Sequence, residues 1–327
     1  MMTKRITAWV LLLSFTQALC AIDADSIRAY YKNIDGLTGE ALKTALYQLI
    51  SPHTVYGYGQ LKTIYETTDV VPGTEDQVYD LFSADVNYYE EGKVFTSGKV
   101  NREHVVPQSW WGKGSSYNIY SDLYNVRPSE SKANSAKSNY PPGKVGKASF
   151  DNGRIRVGTA VSGGTCAYAF EPYDEWKGDF ARIYLYDAVC YQNVPWTYDY
   201  LYVKGGSAYT TLQSWAIPVL LEWNAKDSIC AFEADRNDHV QVYQGNRNPF
   251  VDFPQLADYI WGDKKGSPFN VKTEPIHNVC ASSLESVVTD IGTETPFFYT
   301  LAGQKLDKIS TGMGIFVNNR GKKMLIQ

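Results

Sequence analysis

Glu103 and His104 stand side by side in this chain, and Asn134 follows on a later segment. Those three residue types suit one kind of chemistry. A histidine titrates near neutrality and can take a proton from water. A glutamate carboxylate and an asparagine amide oxygen are hard donors for a divalent cation. Two protein oxygens leave the remaining positions to water and a phosphate, which is how Mg2+ is commonly held. Phosphodiester hydrolysis needs such a base, and a cation to offset charge on the phosphoryl and leaving oxygens. Neighbouring strand residues point to opposite sides, which places base and cation on opposite sides of phosphorus for an in-line displacement. The Glu-His pair alone is weak, because a histidine after a carboxylate is more often structural. His53, His239 and His277 read as structural too. No HExxH motif occurs, so a zinc protease is not supported.

These residues need a frame. The sequence predicts a strand over 93–105, a Gly/Ser/Tyr-rich loop, a second strand from Asp122, and a helix over 129–137. Pro128 suits the first helical position, where its missing N–H is not needed. The helix closes at Asn139, before Pro141-Pro142-Gly143. Glu130, Asn134 and Lys137 lie at i, i+4 and i+7 and share a face. Few apolar residues accompany them, so the helix is read as one that presents polar groups.

Residues 1–21 read as a secretory signal, with Lys4 and Arg5 ahead of a short apolar run and small residues near Ala21. The run is too short to span a membrane. No other run approaches that length, so a secreted or periplasmic protein without a membrane partner is expected, as a monomer. Cys166, Cys190, Cys230 and Cys280 remain after the signal. An even number permits disulfides, with three pairings open. No CxxC pair occurs, which argues against a thiolate zinc site.

The formal charge is −4, and removing Lys4 and Arg5 leaves −6. Residues 93–156 run the other way, with a local balance of +7. A basic field on an acidic protein can gather a polyanion; the plainer reading is a solvated lysine-rich loop. Residues 23–90 look mostly helical, with Leu42, Leu46 and Leu49, then Leu61, Ile64 and Tyr65, at helical spacing. Residues 77–82 and 154–159 read as strands. Residues 178–192 read as an amphipathic helix, 214–223 as a core helix kinked at Pro218, and 228–244 as a polar helix ending at Gly245. Composition shifts to Gly, Pro, Ser and Asn over 264–285. Short strands follow over 296–301, 314–317 and 323–326.

The order of motifs resembles the endonuclease I family of secreted or periplasmic nucleases. The resemblance rests on Glu103-His104-Val105-Val106-Pro107, Asp122-Leu123-Tyr124-Asn125, Pro128, Asn134 and Ser138-Asn139-Tyr140. It continues through Lys177-Gly178-Asp179-Phe180-Ala181-Arg182 with Tyr184 and Tyr186, Leu221-Glu222-Trp223, and Gln244-Gly245-Asn246-Arg247-Asn248-Pro249-Phe250. It covers residues 26–261. The tail is similar to a C-terminal β segment of secreted proteins of Bacteroides-like bacteria.

The resemblance implies an α+β fold: a ββα-metal nuclease core within a mostly helical domain over 22–275, then a linker and small β meander over 276–327. It implies His104 as general base, Glu103 and Asn134 as ligands of Mg2+, with Ca2+ or Mn2+ as alternative occupants, and a DNA substrate, with RNA open. Little sequence preference and products with 5′-phosphates and 3′-hydroxyls are also implied. Arg127 and Lys137 are candidate phosphate contacts, and Tyr124 and Asn125 candidate supports behind the metal. Tyr124 stands where the resemblance leads one to expect histidine, and Lys137 where it leads one to expect arginine. Two rival readings remain: a binding protein on a degenerate nuclease scaffold, and a different secreted hydrolase, such as a glycan hydrolase using Asp122 and Glu130.

Overall fold

The computed structural model describes residues 22–89, 99–162, 164, 166–207 and 209–277, and the backbone of four short strands beyond. The expected signal, the first part of the expected 93–105 strand and Cys280 lie outside the described residues. The chain divides into two compact units, Met1–Cys280 and Ala281–Gln327.

Three helices open the first unit: α1 (Ala24–Tyr30), α2 (Gly39–Ile50) and α3 (Leu61–Thr68). Leu42, Leu46, Leu61, Ile64 and Tyr65 are buried, so the regular spacing does mark core stripes. The strand expected over 77–82 does not form; only single bridges join Val70 to Val78 and Gln77 to Tyr88. The Asp80 carboxylate turns the chain there. It accepts from the amides of Phe82, Ser83 and Glu130, an alternative to a ladder that short acidic side chains offer.

Strands β1 (Val100–His104) and β2 (Val126–Glu130) pair antiparallel, with Glu103 opposite Arg127 and His104 opposite Val126. Pro128 lies inside β2, opposite Arg102, and not at a helix start. A two-stranded sheet leaves each strand one unpaired edge, where a missing N–H costs little. Helix α4 (Ser131–Lys137) starts two residues later than expected. Glu130 is its N-cap, and its two carboxylate oxygens accept from the amides of Lys132 and Ala133. Helix α4 packs on both strands.

A second sheet, β3 (Lys144–Asp151), β4 (Ile155–Ser162) and β5 (Tyr168–Pro172), is antiparallel throughout. Only part of β4 is legible in the sequence, because β3 is mostly exposed and lacks apolar alternation. Helix α5 (Lys177–Cys190) is the centre of the unit. All its residues are buried, so it is not amphipathic as expected. Its polar side chains find buried partners instead. Arg182 donates to both oxygens of Glu233 and to the Asp227 carbonyl. Gly178 is required where the helix meets Asp227: a Cβ there would lie 2.3 Å from that carbonyl oxygen.

Helix α6 (Ala216–Lys226) carries Pro218 in its first turn, where no backbone bond is lost, so no kink is needed. Helix α7 (Ala231–Gln244) ends on Gly245 at φ 82°. It is less polar in role than in composition, for Glu233, Arg236, Asn237 and Asp238 are buried. Helices α8 (Pro249–Asp252) and α9 (Leu256–Ile260) follow. Residues up to 277 stay with this unit: Phe269 and Val271 are buried, and Phe269 exchanges backbone bonds with Gly36 and Leu37. In the second unit, β6 (Phe298–Tyr299), β7 (Lys305–Leu306), β8 (Gly314–Asn318) and β9 (Lys323–Ile326) form an antiparallel sheet in the order β7-β6-β8-β9. Among the described residues, no helix is long and apolar enough to cross a membrane.

Asp69, with no exposed surface, is the polar hub between α3, α7 and β2. Arg236 reaches its two oxygens at 2.9 and 3.1 Å, and Arg127 Nε approaches at 3.4 Å. Removing Arg236 leaves the buried Asp69 with only the longer Arg127 contact, and breaking a buried pair from one side is costly. The variant Arg236→Ala should therefore lose about 3–5 kcal/mol of stability in denaturant unfolding. A loss below about 1 kcal/mol would show that water reaches Asp69 in the native state.

Candidate active site

Glu103 and His104 end β1, just before a turn over 105–107. Both are nearly buried, at 8% and 5% exposure. His104 Nε2 lies 2.9 Å from the Tyr120 carbonyl oxygen, and Nδ1 lies 3.1 Å from Gln108 Nε2. A carbonyl only accepts, so Nε2 carries the proton and Nδ1 keeps the lone pair, with Gln108 donating to it. Burial pushes the imidazole pKa down to about 4; the bond to Tyr120 opposes this, and the charges of Lys137 and Arg102 add to it. The ring is neutral at pH 7. Aromatic rings fix its plane. Tyr58 stacks on it at 5.4 Å between centroids, and Tyr120 and Trp111 stand at 5.5 and 5.7 Å. The Arg102 guanidinium covers the Tyr58 ring at 3.8 Å and donates to the Tyr58 carbonyl.

Lys137 comes from the last turn of α4 and has no exposed surface. Its Nζ donates to Glu103 Oε1 at 2.9 Å and to the His104 carbonyl at 3.2 Å. Burial raises the Glu103 pKa, and Lys137 partly offsets that. Asn134 lies one turn before Lys137 on the same helix, half-buried, and its side-chain amide has no protein hydrogen-bond partner among the described residues. The donor set therefore fits a small hard cation: the carboxylate has one oxygen anchored by Lys137 and one left over, and a neutral amide oxygen is uncommitted.

The remaining candidates fall elsewhere. Lys137 and Arg127 are not phosphate contacts on an exposed helix. Lys137 is spent on Glu103, and Arg127, 6% exposed, faces Asp69. Helical spacing correctly puts Lys137 on the Asn134 face, but that face turns inward. Tyr124 ties into the frame: its hydroxyl donates to Asn237 Oδ1 at 2.6 Å. Asn125 braces the strand end that carries His104. Its Oδ1 accepts from the Val106 amide and its Nδ2 donates to the Ile119 carbonyl, tying the end of β1 to the turn that carries Tyr120. Asp122 is buried and takes four hydrogen bonds, and Glu130 caps α4, so neither is free for acid–base work on a glycan. Gln108, Tyr120 and Tyr58 were not readable from the sequence. The Tyr120 contact to His104 Nε2 is a backbone carbonyl, which carries no residue signature. Cys166, Cys190 and Cys230 are free thiols.

The structure thus defines an α+β protein with a neutral, oriented histidine and a charge-paired glutamate at one strand end. Known proteins share this chain. The endonuclease I family model matches residues 38–255. An extracellular ribonuclease of Bacillus amyloliquefaciens is 34% identical over 262 residues, 75% of this chain and 82% of its own. An extracellular ribonuclease of Bacillus subtilis (strain 168) is 35% identical over 241 residues, 71% of this chain and 78% of its own. Endonuclease-1 of Buchnera aphidicola subsp. Baizongia pistaciae (strain Bp) is 26% identical over 178 residues, 47% of this chain and 62% of its own. The chain belongs to the endonuclease I family, and it is a nuclease.

The Lys137–Glu103 pair makes a separable forecast. Lys137→Met should lower the thermal midpoint, because it leaves a buried carboxylate without its cation. Adding Glu103→Gln should recover most of that loss, since the two sites couple. Additive losses in the double variant would mean the pair carries no coupling in solution.

Proposed function

We propose that this protein is a secreted, metal-dependent endonuclease with little sequence preference, cleaving DNA and RNA to 5′-phosphate and 3′-hydroxyl ends. The observation that carries the reading is His104, held as the tautomer whose Nδ1 lone pair faces only the Gln108 amide, beside a carboxylate that can hold a cation. The relatives named extracellular ribonuclease add RNA as a substrate and support export.

In this reading β1, β2 and α4 form a ββα-metal core. Glu103 and Asn134 would hold Mg2+, with Ca2+ or Mn2+ as alternatives. When bound, the ion supplies positive charge to the phosphoryl and leaving oxygens. His104 Nδ1 takes a proton from water once Gln108 swings aside. The Tyr120 carbonyl holds Nε2–H and favours the imidazolium that forms, as an orienting acceptor does for any catalytic histidine. Tyr58 and Trp111 keep water out from behind the ring. With Lys137 and Arg127 internal, the substrate grip falls to exposed cations such as Lys113 and Lys132. Contacts of that kind position the backbone without reading bases.

Plasmid nicking and RNA degradation, each with and without EDTA, test the reading; activity that survives EDTA on both substrates rejects it. His104→Ala should lower turnover by about two to four orders of magnitude with the fold intact. Glu103→Ala and Asn134→Ala should each raise the Mg2+ concentration for half-activity, Glu103→Ala more, because it also removes formal charge. Metal titrations that match wild type for both variants would move the ion elsewhere.

The acid limb of activity gives an independent check. A base whose pKa is held down to about 4 stays neutral as pH falls from 7, so kcat/KM should keep its plateau well below the usual histidine range. It should decline only as pH approaches that value. A limb near pH ~6.5, the unperturbed histidine value, would mean that His104 is solvated in the working enzyme or is not the base.

A further inference from the structure

Asp122, His53 and Cys190 meet inside the first unit, away from the chemistry assigned above. One Asp122 oxygen, one His53 ring nitrogen and the Cys190 sulfur lie within 4.8 Å of one another. They come from the stretch leading into β2, from the loop after α2, and from the end of α5. The His53 and Asp122 side chains are 1% and 0% exposed.

The His53 ring is oriented in a particular way. Its Nδ1 lies 3.0 Å from the Ser51 carbonyl oxygen, so Nδ1 carries the proton and the Nε2 lone pair points away from Ser51. Nε2 then faces Asp122 Oδ2 at 3.6 Å. That is too long for a hydrogen bond, and it opposes a lone pair to a carboxylate. The Tyr191 hydroxyl does not relieve it, since its one proton goes to Asp122 Oδ2 and it stands 3.5 Å from Nε2. Two donors on one tetrahedral zinc lie about 3.4 Å apart, from metal–ligand lengths near 2.0–2.2 Å. A ligating histidine typically gives its other N–H to a backbone carbonyl, and ligating carboxylates are themselves hydrogen-bonded. Asp122 meets that condition through the Tyr124 amide, Gln244, Tyr186 and Tyr191.

A second observation is independent of the trio. Asp187, one turn before Cys190 on α5, has no exposed surface, and neither carboxylate oxygen has a hydrogen-bond partner among the described residues. A carboxylate in that position is costly without a counter-charge. Burial raises its pKa well above the usual carboxylate range, and the like charge of Asp122 raises it further.

We propose that His53, Asp122 and Cys190 form a structural binding site for a divalent cation of the zinc type. Imidazole, thiolate and carboxylate together suit Zn2+ better than Mg2+ or Ca2+. The Cys190 thiol, which points to the Ile50 carbonyl at 3.7 Å, gives up its proton to solvent when sulfur binds. Because the ligands are buried, the ion enters during folding. It joins the end of α2, α5 and the segment that follows Tyr120, whose carbonyl orients His104.

Metal analysis decides this. Protein refolded with Zn2+ and then dialysed against EDTA should hold stoichiometric zinc, and the double variant Glu103→Ala/Asn134→Ala should hold the same amount. His53→Ala and Cys190→Ser should hold none. Should those two variants fail to fold, wild-type protein refolded with Co2+ should show a sulfur-to-cobalt charge-transfer band and a tetrahedral visible spectrum. Wild-type protein without zinc and without that band, zinc retained in Cys190→Ser, or zinc lost from the Glu103→Ala/Asn134→Ala variant would each overturn the proposal.

Discussion

An ammonium group with no access to water sits between the Glu103 carboxylate and the His104 carbonyl. Much of the site depends on that contact. Lys137 makes it tolerable to bury Glu103, and it fixes the end of β1 against α4, the helix that carries Asn134. It also keeps the His104 imidazole neutral, adding to burial. An arginine fork would spread its donors over a plane, whereas a lysine head can satisfy a side-chain oxygen and a backbone oxygen from one point. The substitution that looks like a weakened phosphate contact in the sequence is, in the fold, an internal strut.

The same logic runs through the first unit. Charged groups are buried in sets: Asp69 with Arg236 and Arg127, Glu233 with Arg182, and Asp252 with Arg247. Such pairs do not make a protein much more stable than apolar packing would. They are unforgiving of misplacement, so they specify which helix meets which. Helix α5 is the clearest case. Its polar residues would be misread as a solvent face, yet each of its sides meets another element, and the Arg182 side chain and the Asp179 backbone amide both bond to Asp227.

The loop between β1 and β2 shows how a flexible-looking, Gly/Ser/Tyr-rich segment becomes part of the frame around His104. Asn125 holds both the strand end and the Ile119 carbonyl. That leaves the Tyr120 carbonyl facing His104 Nε2. Aromatic rings on three sides then remove the ring's remaining freedom. An imidazole held this way keeps its lone pair in one direction.

By itself the sequence determined the family, the helical start, the glycine stop of α7 and the strand-then-helix order around Asn134. These are local properties: a dipeptide, a spacing, a capping residue, a leucine period. What only the tertiary structure decided was direction. Arg127 and Lys137 point inward to Asp69 and Glu103, Pro128 lies on a strand edge, Glu130 is a cap, and 77–82 is bent by Asp80. A charged side chain has the same local signature whether it faces water or a buried partner, because the partner comes from a distant segment. Lys137 and Glu103 are adjacent only after β1 and β2 have paired and α4 has folded back. No periodicity within either segment records that event.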